Sequence, residues 1–271
     1  MNSSYCNYYE SSSLFHGSLL NIMGTRFDIL IVIENKTMGE VLWNKIQSEL
    51  IRLNKLLNRF DIESEVSQIN SNAYSSPFII SPEMWEILLS CRKYHKQTKG
   101  LFDITLKDYN KVLLNDENRS VSFVEKDFHI DFGGYAKGYA TEKIKDILME
   151  NNIENSFINF GNSSIYGLGR HPYGNCWSIG IENPYKKGEM LGEYKLKDDG
   201  MSTSGNMPAN PKHIVNPFTG DYNEEKKLVS IVTKNAIDAE VVSTSLMIAQ
   251  KEEKEEIVKN FNLSEILIYK L

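Results

Sequence analysis

The segment IDFGGYAKGYATEK, residues 130–143, places two adjacent glycines and a lysine where a predicted strand ends and a predicted helix begins. Glycines allow a tight backbone turn and leave amide groups uncovered. A helix N-terminus carries partial positive charge, to which Lys137 adds a full charge. These groups suit a diphosphate, and Asp131 could accept hydrogen bonds from a sugar or a base edge. A plain strand-to-helix turn with a surface lysine is the alternative interpretation, because short glycine motifs often occur without function.

The segment AIDAEVVSTSLMIA, residues 236–249, predicts a helix on which Glu240 and Thr244, four positions apart, share one face. A carboxylate and a hydroxyl provide oxygen ligands, which a hard cation such as Mg²⁺ prefers. Two protein side chains are few for such a site, but Mg²⁺ usually keeps waters and also takes substrate phosphate oxygens. The alternative is a solvated glutamate beside a threonine whose hydroxyl bonds back to its own helix.

The segment STSGNMPANPKHIVNPFTG, residues 202–220, combines Ser, Thr, Gly and Pro with one histidine. Long loops of this composition often carry functional residues. His213 could orient a phosphate or assist proton transfer, because histidine titrates near neutral pH. A structural histidine fits the sequence equally well.

A further candidate is NRFDIESEVSQIN, residues 58–70. Phe60 could stack on a flat ring, and Glu65 and Asn70 could bond the polar edges of such a ring. A capped turn that leads into a short helix explains the same residues equally well.

The elements that must position these residues follow from hydrophobic periodicity and from turn residues. Helices are predicted at 38–58, 82–98, 136–151, 236–249 and 251–260. Strands are predicted at 25–34, 156–160, 164–168, 176–181, 190–196, 228–233 and 264–269, with a hairpin of 120–124 and 128–132, a long loop over 200–227 and a flexible tail over 1–20. Strands and helices mix without regular βαβ alternation, which predicts an α+β fold. We expect a single domain over 21–271.

The composition excludes several classes of protein. Of 271 residues, 41% are hydrophobic and 24% are charged, which is typical of a folded globular chain. A net charge of −6 leaves no broad cationic field, which argues against nucleic-acid binding. No apolar run approaches the length of a transmembrane helix. The three cysteines, Cys6, Cys91 and Cys176, are too far apart in sequence to form a metal knuckle.

Taken in order, the motifs of this chain resemble those of the FAD:protein FMN transferase family, formerly described as thiamine-biosynthesis lipoproteins. The succession is Met23-Gly24-Thr25, SEVSQIN, GLFDIT, DFGGYAKGYA, NFGNSSIYGLG, Trp177 with Ile181-Glu182-Asn183-Pro184, TSG, HIVNPFTG and EVVSTSL. The resemblance covers residues 22–270, and GGYAKGYA and HIVNPFTG are its most specific parts. It implies mixed, mainly antiparallel sheets with packed helices.

The resemblance also implies a reaction. FAD would bind with Mg²⁺ on its diphosphate, and a threonine of a target flavoprotein would attack the phosphorus on the FMN side. FMN would become attached to the threonine through a phosphoester, and AMP would leave. The implied partners are therefore FAD, Mg²⁺ and an acceptor flavoprotein.

Matching positions of this chain acquire roles from the resemblance. The FAD site would be lined by Met23, Phe60, Leu101, Phe102, Asp103, Asp131, Lys137 and Ile214. The metal ligands would be the backbone carbonyl of Gly134 and the side-chain oxygens of Glu240 and Thr244. Catalysis would involve Lys137 on the diphosphate and His213 near the reacting phosphate. The glycine turn and the late helix, far apart in sequence, would thus meet at one ion.

The chain departs from the family pattern around the ligand. Glu240 stands where the family usually has Asp, Asn162 where it has a second Gly, and Asn206 where it has an aromatic residue. A segment that the family carries between Thr105 and the predicted strand at 120 is missing. These departures keep two alternatives open. One is hydrolysis of FAD to FMN and AMP, and the other is a degenerate member that binds a flavin nucleotide or a partner protein without transfer.

The N-terminus, MNSSYCNYYESSSLFHGSLL, is polar and lacks the basic and apolar segments of a signal peptide. The family that the chain resembles is usually exported and membrane-anchored. The sequence therefore leaves the compartment open.

Overall fold

The computed structural model of the chain describes residues 3–208 and 212–271. The strands in these ranges are β1 (Ser4–Tyr9), β2 (Leu14–Ile22), β3 (Thr25–Val32), β4 (Phe78–Ile79), β5 (Val112–Asn115), β6 (Ser120–Phe123), β7 (Ser156–Phe160), β8 (Ser164–Leu168), β9 (Trp177–Glu182), β10 (Met190–Leu196), β11 (Asp199–Gly205), β12 (Lys227–Thr233) and β13 (Leu263–Lys270). The helices are α1 (Lys36–Leu57), α2 (Glu65–Asn72), α3 (Pro82–Gln97), α4 (Ala136–Glu150), α5 (Ala236–Ile248) and α6 (Lys251–Val258). None of these helices is long and apolar enough to cross a bilayer.

Eight strands form the main sheet in the order β1-β2-β3-β7-β8-β11-β12-β13, and every neighbouring pair is antiparallel. There are also two smaller antiparallel sheets. One pairs β9 with β10, and the other has the strand order β4-β6-β5. The predicted α+β fold with mainly antiparallel sheets and packed helices is therefore confirmed. The strand order brings β8, β11 and β12 side by side, and both α4 and α5 pack in this region. The two helices that carry candidate motifs thus become neighbours.

Residues predicted to form a tail belong instead to the main sheet. β1 pairs with β2, β2 pairs with β3, and the side chains of Phe15 and Leu19 are buried. The prediction of a flexible tail over 1–20 is therefore wrong. A Cβ atom at Gly17 would lie 2.6 Å from the ring of Trp43, so glycine at this position allows α1 to approach β2 closely.

The hairpin in the middle of the chain lies earlier than predicted. It is formed by β5 and β6, and residues 128–132 form no strand. The backbone of Ile130 in this segment bonds to the side chain of Asn70 instead of to a neighbouring strand. The prediction of a second strand at 128–132 is therefore wrong, because a side chain from α2 replaces the partner strand.

The long loop before β12 begins later than predicted. Residues 200–205 belong to β11, which pairs with β8 on one side and β12 on the other. Residues 209–211 of the predicted loop lie outside the described residues. The run of Ser, Thr and Gly at 202–205, typical of loops, is held in a strand by β12 over its whole length and by β8 at Ser202.

Three apolar clusters occur in the described part of the chain. The largest packs α1, α3 and α4 against the main sheet. The second surrounds α5 and includes Leu101, Ile214 and Val229. The third lies beneath β9 and β10 and includes Trp177 and Leu228. All residues of β12 are buried, and because successive residues point to opposite faces, the strand is covered on both sides.

An ion-pair network ties α1, α3 and α4 together. Arg52 on α1 binds the carboxylates of Glu49 and Glu83, and its Nη2 lies 2.9 Å from Glu83 Oε1. Tyr139 on α4 donates a hydrogen bond to Glu83 at 2.9 Å. The Arg52 guanidinium holds the pKa of Glu83 below its usual value. The network therefore stabilises the folded chain only while Glu83 is ionised.

Replacement of Arg52 by Leu should lower the free energy of unfolding at neutral pH by roughly 0.5–1 kcal/mol, since the ion pair is partly exposed. The lowered folded-state pKa of Glu83 means that its contribution is present above the unfolded-state pKa and is lost as pH falls through the folded-state pKa. Urea denaturation should therefore show a smaller difference between R52L and the unaltered chain at about pH 3. An equal difference at both pH values would contradict this assignment.

Candidate functional site

The N-terminal halves of α4 and α5 are in direct contact. A Cβ atom at Gly138 would lie 2.8 Å from the carbonyl oxygen of Ala236 and 3.0 Å from Cα of Ile237. Glu142 on α4 accepts a hydrogen bond from the Ala236 N–H at 2.6 Å. Because Gly138 has no side chain, the backbones of α4 and α5 can approach closely. At this distance the Glu142 side chain on α4 reaches the first turn of α5.

A buried ion pair lies at this contact. The Lys137 ammonium is 2.6 Å from Glu240 Oε1, and Glu240 Oε2 accepts a hydrogen bond from the Gly138 N–H. Only 3% of the Glu240 side chain and 19% of the Lys137 side chain are exposed. Tyr135, the residue before α4, offers no capping side chain, so Glu240 supplies from α5 the negative charge that a helix N-terminus favours. The alternatives of a solvated glutamate and a surface lysine are therefore wrong.

Thr244 lies one helical turn after Glu240 and faces the glycine turn. A Cβ atom at Gly134 would lie 3.8 Å from the Thr244 hydroxyl oxygen and 3.8 Å from the ring of Phe102. The structure thus brings the three residues predicted as metal ligands to one place, beside Lys137. Every group that they offer there is an oxygen donor, which suits a hard cation.

A chain of hydroxyl groups contacts Thr244 from β11. Ser204 Oγ lies 3.3 Å from Thr244 Oγ1 and 2.9 Å from Ser243 Oγ. Ser202 Oγ lies 3.1 Å from Ser243 Oγ. Sequence reasoning missed Ser202 and Ser204, although their spacing of two in a strand places both on the face toward α5. Ser204 therefore contacts the Thr244 hydroxyl directly, and Ser202 is linked to it only through Ser243 and Ser204.

Asp131 stabilises the glycine turn and connects it to Arg59. Its carboxylate accepts a hydrogen bond from the Gly133 N–H at 2.9 Å and lies 2.8 Å from Arg59 Nε. The Arg59 guanidinium also lies 4.5 Å from the centre of the Phe60 ring, and Phe60 is 83% exposed. Phe60 is thus linked to the glycine turn through Arg59, a residue that sequence reasoning missed.

Glu65 and Asn70 have structural roles. Glu65 accepts hydrogen bonds from the N–H and the hydroxyl of Ser81, at 2.6 and 2.7 Å, where α3 begins. Asn70 donates to the carbonyl of Ile130 and accepts from its N–H, at 3.0 and 2.8 Å. The polar atoms of both side chains thus bond the protein itself. The alternative of a capped short helix is confirmed by Ser64, which caps α2.

The segment after α3 lies in the core beside the glycine turn. Leu101 and Phe102 are each 4% exposed, and Leu101 packs in the cluster around α5. Asp103 accepts hydrogen bonds from the N–H and hydroxyl of Thr105 and from the N–H of Tyr109, at 2.8, 2.7 and 3.0 Å. Its carboxylate therefore shapes its own loop, and a contribution of Asp103 to a ligand site would act through that loop.

The remaining predicted residues lie on two other loops. Met23, in the turn between β2 and β3, has a left-handed backbone with φ of 48°, and its N–H donates to Asn54 on α1 at 3.2 Å. Ile214 is buried in the cluster around α5. His213 is exposed and directly precedes Ile214. The buried Ile214 thus anchors the loop of His213 to α5.

A sequence model of the ApbE family matches residues 23–113 and 106–268, which is nearly the entire chain. The chain belongs to the ApbE family. Its curated relatives named FAD:protein FMN transferase include a Haemophilus influenzae protein, 24% identical, with 91% of this chain and 84% of that protein covered. Another is from Escherichia coli K12, 22% identical, with 88% and 84% covered. The resemblance based on the motifs is therefore confirmed.

Solved structures of ApbE proteins share the architecture of this chain. The flavin transferase ApbE from Vibrio cholerae superposes with a TM-score of 0.80 at 19% identity, covering 99% of this chain and 93% of that one. The ApbE protein from Thermotoga maritima superposes with a TM-score of 0.78 at 20% identity, covering 96% and 91%. The ApbE fold therefore extends over nearly the whole chain.

Proposed function

We propose that this ApbE-family chain transfers FMN from FAD to a threonine of a target flavoprotein and releases AMP. Family membership and the names of the relatives support this class of reaction. The observation that carries the proposal is the meeting of Lys137 with Glu240 and Thr244 at the glycine turn. A lysine and oxygen donors at a helix N-terminus form an arrangement suited to a diphosphate and its cation.

The proposed reaction exchanges one phosphorus–oxygen bond for another. The threonine oxygen bonds to the FMN phosphorus, and the bond from that phosphorus to the bridging oxygen of the diphosphate breaks. AMP leaves with the bridging oxygen, and the threonine proton passes to a base, for which His213 is our candidate. Because negative charge grows on the bridging oxygen, catalysis depends mainly on positioning and on charge neutralisation.

Lys137 is the protein group proposed to neutralise the diphosphate. Its ammonium lies at the glycine turn, 3.4 Å from the carbonyl oxygen of Gly133. The N-terminus of α4 adds partial positive charge at the same place. Lys137 would therefore bind the diphosphate in the ground state and stabilise the departing AMP oxygen as the bond breaks.

The residues at this place fit a hard cation such as Mg²⁺. The buried Glu240 carboxylate is already balanced by a cationic group, the Lys137 ammonium, and the Thr244 hydroxyl lies close to Gly134. No cluster of three or more His, Cys, Asp or Glu side chains occurs within the described residues, so waters and phosphate oxygens would complete the shell. We propose that Glu240, Thr244 and the Gly134 carbonyl hold the ion. When bound, Mg²⁺ would neutralise diphosphate charge.

The transfer is tested by incubating the purified chain with FAD, MgCl₂ and a candidate acceptor flavoprotein, followed by in-gel flavin fluorescence after denaturation. We expect a fluorescent acceptor band that disappears when the acceptor threonine is replaced by Val. AMP released without any acceptor would support FAD hydrolysis instead. Bound FAD without either product would support a degenerate member, and absence of FAD binding would contradict both enzymatic functions.

Replacement of Phe60 by Leu should weaken FAD binding by about two- to tenfold, which corresponds to roughly 0.5–1.5 kcal/mol for an aromatic contact. The melting temperature should stay unchanged, because Phe60 is 83% exposed and contributes little to packing. Titration of FAD fluorescence measures the affinity, with Tyr74→Leu, at another exposed aromatic residue, as the control. Unchanged affinity of F60L would remove Phe60 from the proposed site.

A further inference from the structure

Both carboxylate oxygens of Glu240 have a partner from α4, and the partner of one of them is a cation. Its Oε2 accepts the Gly138 N–H, and its Oε1 lies 2.6 Å from the Lys137 ammonium. Since only 3% of the side chain is exposed, bulk water does not compete for either oxygen. A metal ion that approaches Glu240 Oε1 therefore competes with the Lys137 ammonium for that oxygen.

Lys137 is the partner that can leave. The Gly138 N–H is part of the first turn of α4 and moves only with the helix. The Lys137 side chain is more exposed than Glu240, at 19%, and lysine carries its ammonium on a flexible four-carbon stem. Its ammonium also lies 3.4 Å from the Gly133 carbonyl oxygen, on the side of the glycine turn. Rotation of the stem can therefore move the charge from Glu240 to a ligand at that turn.

We infer that Lys137 holds the cation position on Glu240 in the free protein and exchanges with a divalent cation when FAD binds. This inference rests on the proposed function, because a diphosphate at the glycine turn is what draws the ammonium away from Glu240. Without a diphosphate, an incoming ion must displace the ammonium or lie in contact with a second positive charge. With it, the ammonium moves to phosphate oxygens and Glu240 Oε1 becomes available.

The exchange makes Lys137 a positioning residue for the cation in addition to its proposed contact with the diphosphate. FAD and the divalent cation should bind cooperatively, and by linkage each should raise the affinity of the other by the same factor. The contact between Lys137 and Glu240 also suppresses metal binding while FAD is absent. The test therefore lies in the affinity for the metal when FAD is absent.

Mn²⁺ is the probe, because electron paramagnetic resonance measures the free ion directly. The unaltered chain is compared with Lys137→Met and with Lys143→Met, a lysine on the same helix that lies over the Tyr139 ring instead. Without FAD, Lys137→Met should bind one Mn²⁺ at least about tenfold more tightly than the unaltered chain, a factor usual for coupled sites. Lys143→Met should bind as the unaltered chain does. Equal affinity of Lys137→Met and the unaltered chain, or an equal gain in Lys143→Met, would overturn the inference.

A second pair of variants keeps the test decisive. Lys137→Gln retains a hydrogen-bond donor toward Glu240 without the charge, and it replaces Lys137→Met if that variant does not fold. Addition of Glu240→Gln to either variant should remove the gain in Mn²⁺ affinity, and a gain that persists would overturn the inference. The Mn²⁺ measurement does not need FMN transfer, so the two proposals can fail separately. If only the transfer assay fails, the proposed function is wrong. If only the Mn²⁺ affinity of Lys137→Met is unchanged, the exchange is wrong.

Discussion

Replacement of Lys137 by Met is expected to slow FMN transfer by about 100- to 1000-fold, the usual loss when one preorganised group at a developing oxyanion is removed. The loss should be larger in kcat than in the KM for FAD, because the charge that Lys137 neutralises grows as the AMP oxygen departs. Steady-state rates at saturating acceptor measure both constants. Lys143→Met, on the same helix but over the Tyr139 ring, should transfer at the unaltered rate.

The same substitution should also lower the free energy of unfolding by roughly 1–3 kcal/mol, because the Glu240 carboxylate stays buried without its counter-ion. The double variant Lys137→Met with Glu240→Gln removes that buried charge and should regain part of the stability without regaining activity. Thermal melts and rates of both variants therefore separate folding from chemistry. A Lys137→Met variant that transfers FMN at the unaltered rate would remove Lys137 from the reaction.

Replacement of Gly138 by Ala is expected to lower the free energy of unfolding by roughly 1–3 kcal/mol, the usual effect of an extra methyl group in a filled contact. The new Cβ would lie 2.8 Å from the Ala236 carbonyl oxygen, 2.9 Å from Glu240 Oε2 and 3.0 Å from Ile237 Cα. Two of these atoms belong to the backbone of α5, so the helices must move apart. FMN transfer should fall as well, because that movement carries the glycine turn away from Glu240 and Thr244, which are proposed to hold the cation together with Gly134.

The direction of this effect is diagnostic, since Ala normally stabilises a helix relative to Gly by roughly 0.5–1 kcal/mol. Differential scanning calorimetry should show a melting temperature lowered by about 2–4 °C for each kcal/mol lost. Gly134→Ala is the matched stability control, because its Cβ would meet its nearest neighbours at 3.7 to 3.8 Å, which is ordinary contact. A Gly138→Ala variant as stable as the unaltered chain would contradict the close contact between α4 and α5.

Local features of the site could be predicted from the sequence. The glycine turn before Lys137 and the shared face of Glu240 and Thr244 depend on spacing within a single segment. The pairing of Lys137 with Glu240 could not, because 103 positions separate them and no periodicity encodes contacts between separate elements. That contact depends on the order of β8, β11 and β12, which brings α4 beside α5.

Strands were hard to predict where polar residues dominate a segment. The N-terminal residues are rich in Ser, Tyr and Asn, so the strands β1 and β2 gave no clear apolar run, yet β2 pairs on both sides. Arg59 and Ser204 were missed for a related reason. Their roles come from partners on other elements, Asp131 and Thr244, rather than from their own segments.

Intact-mass spectrometry of an acceptor flavoprotein, after incubation with this chain, FAD and MgCl₂, tests the central claim most directly. The proposed function predicts that the acceptor gains the mass of one FMN group, that fragmentation places this group on a threonine, and that AMP appears in equal amount. Omission of the chain should leave the acceptor unmodified. An acceptor whose mass does not change while FAD is bound, or AMP formed without an adduct, would contradict FMN transfer.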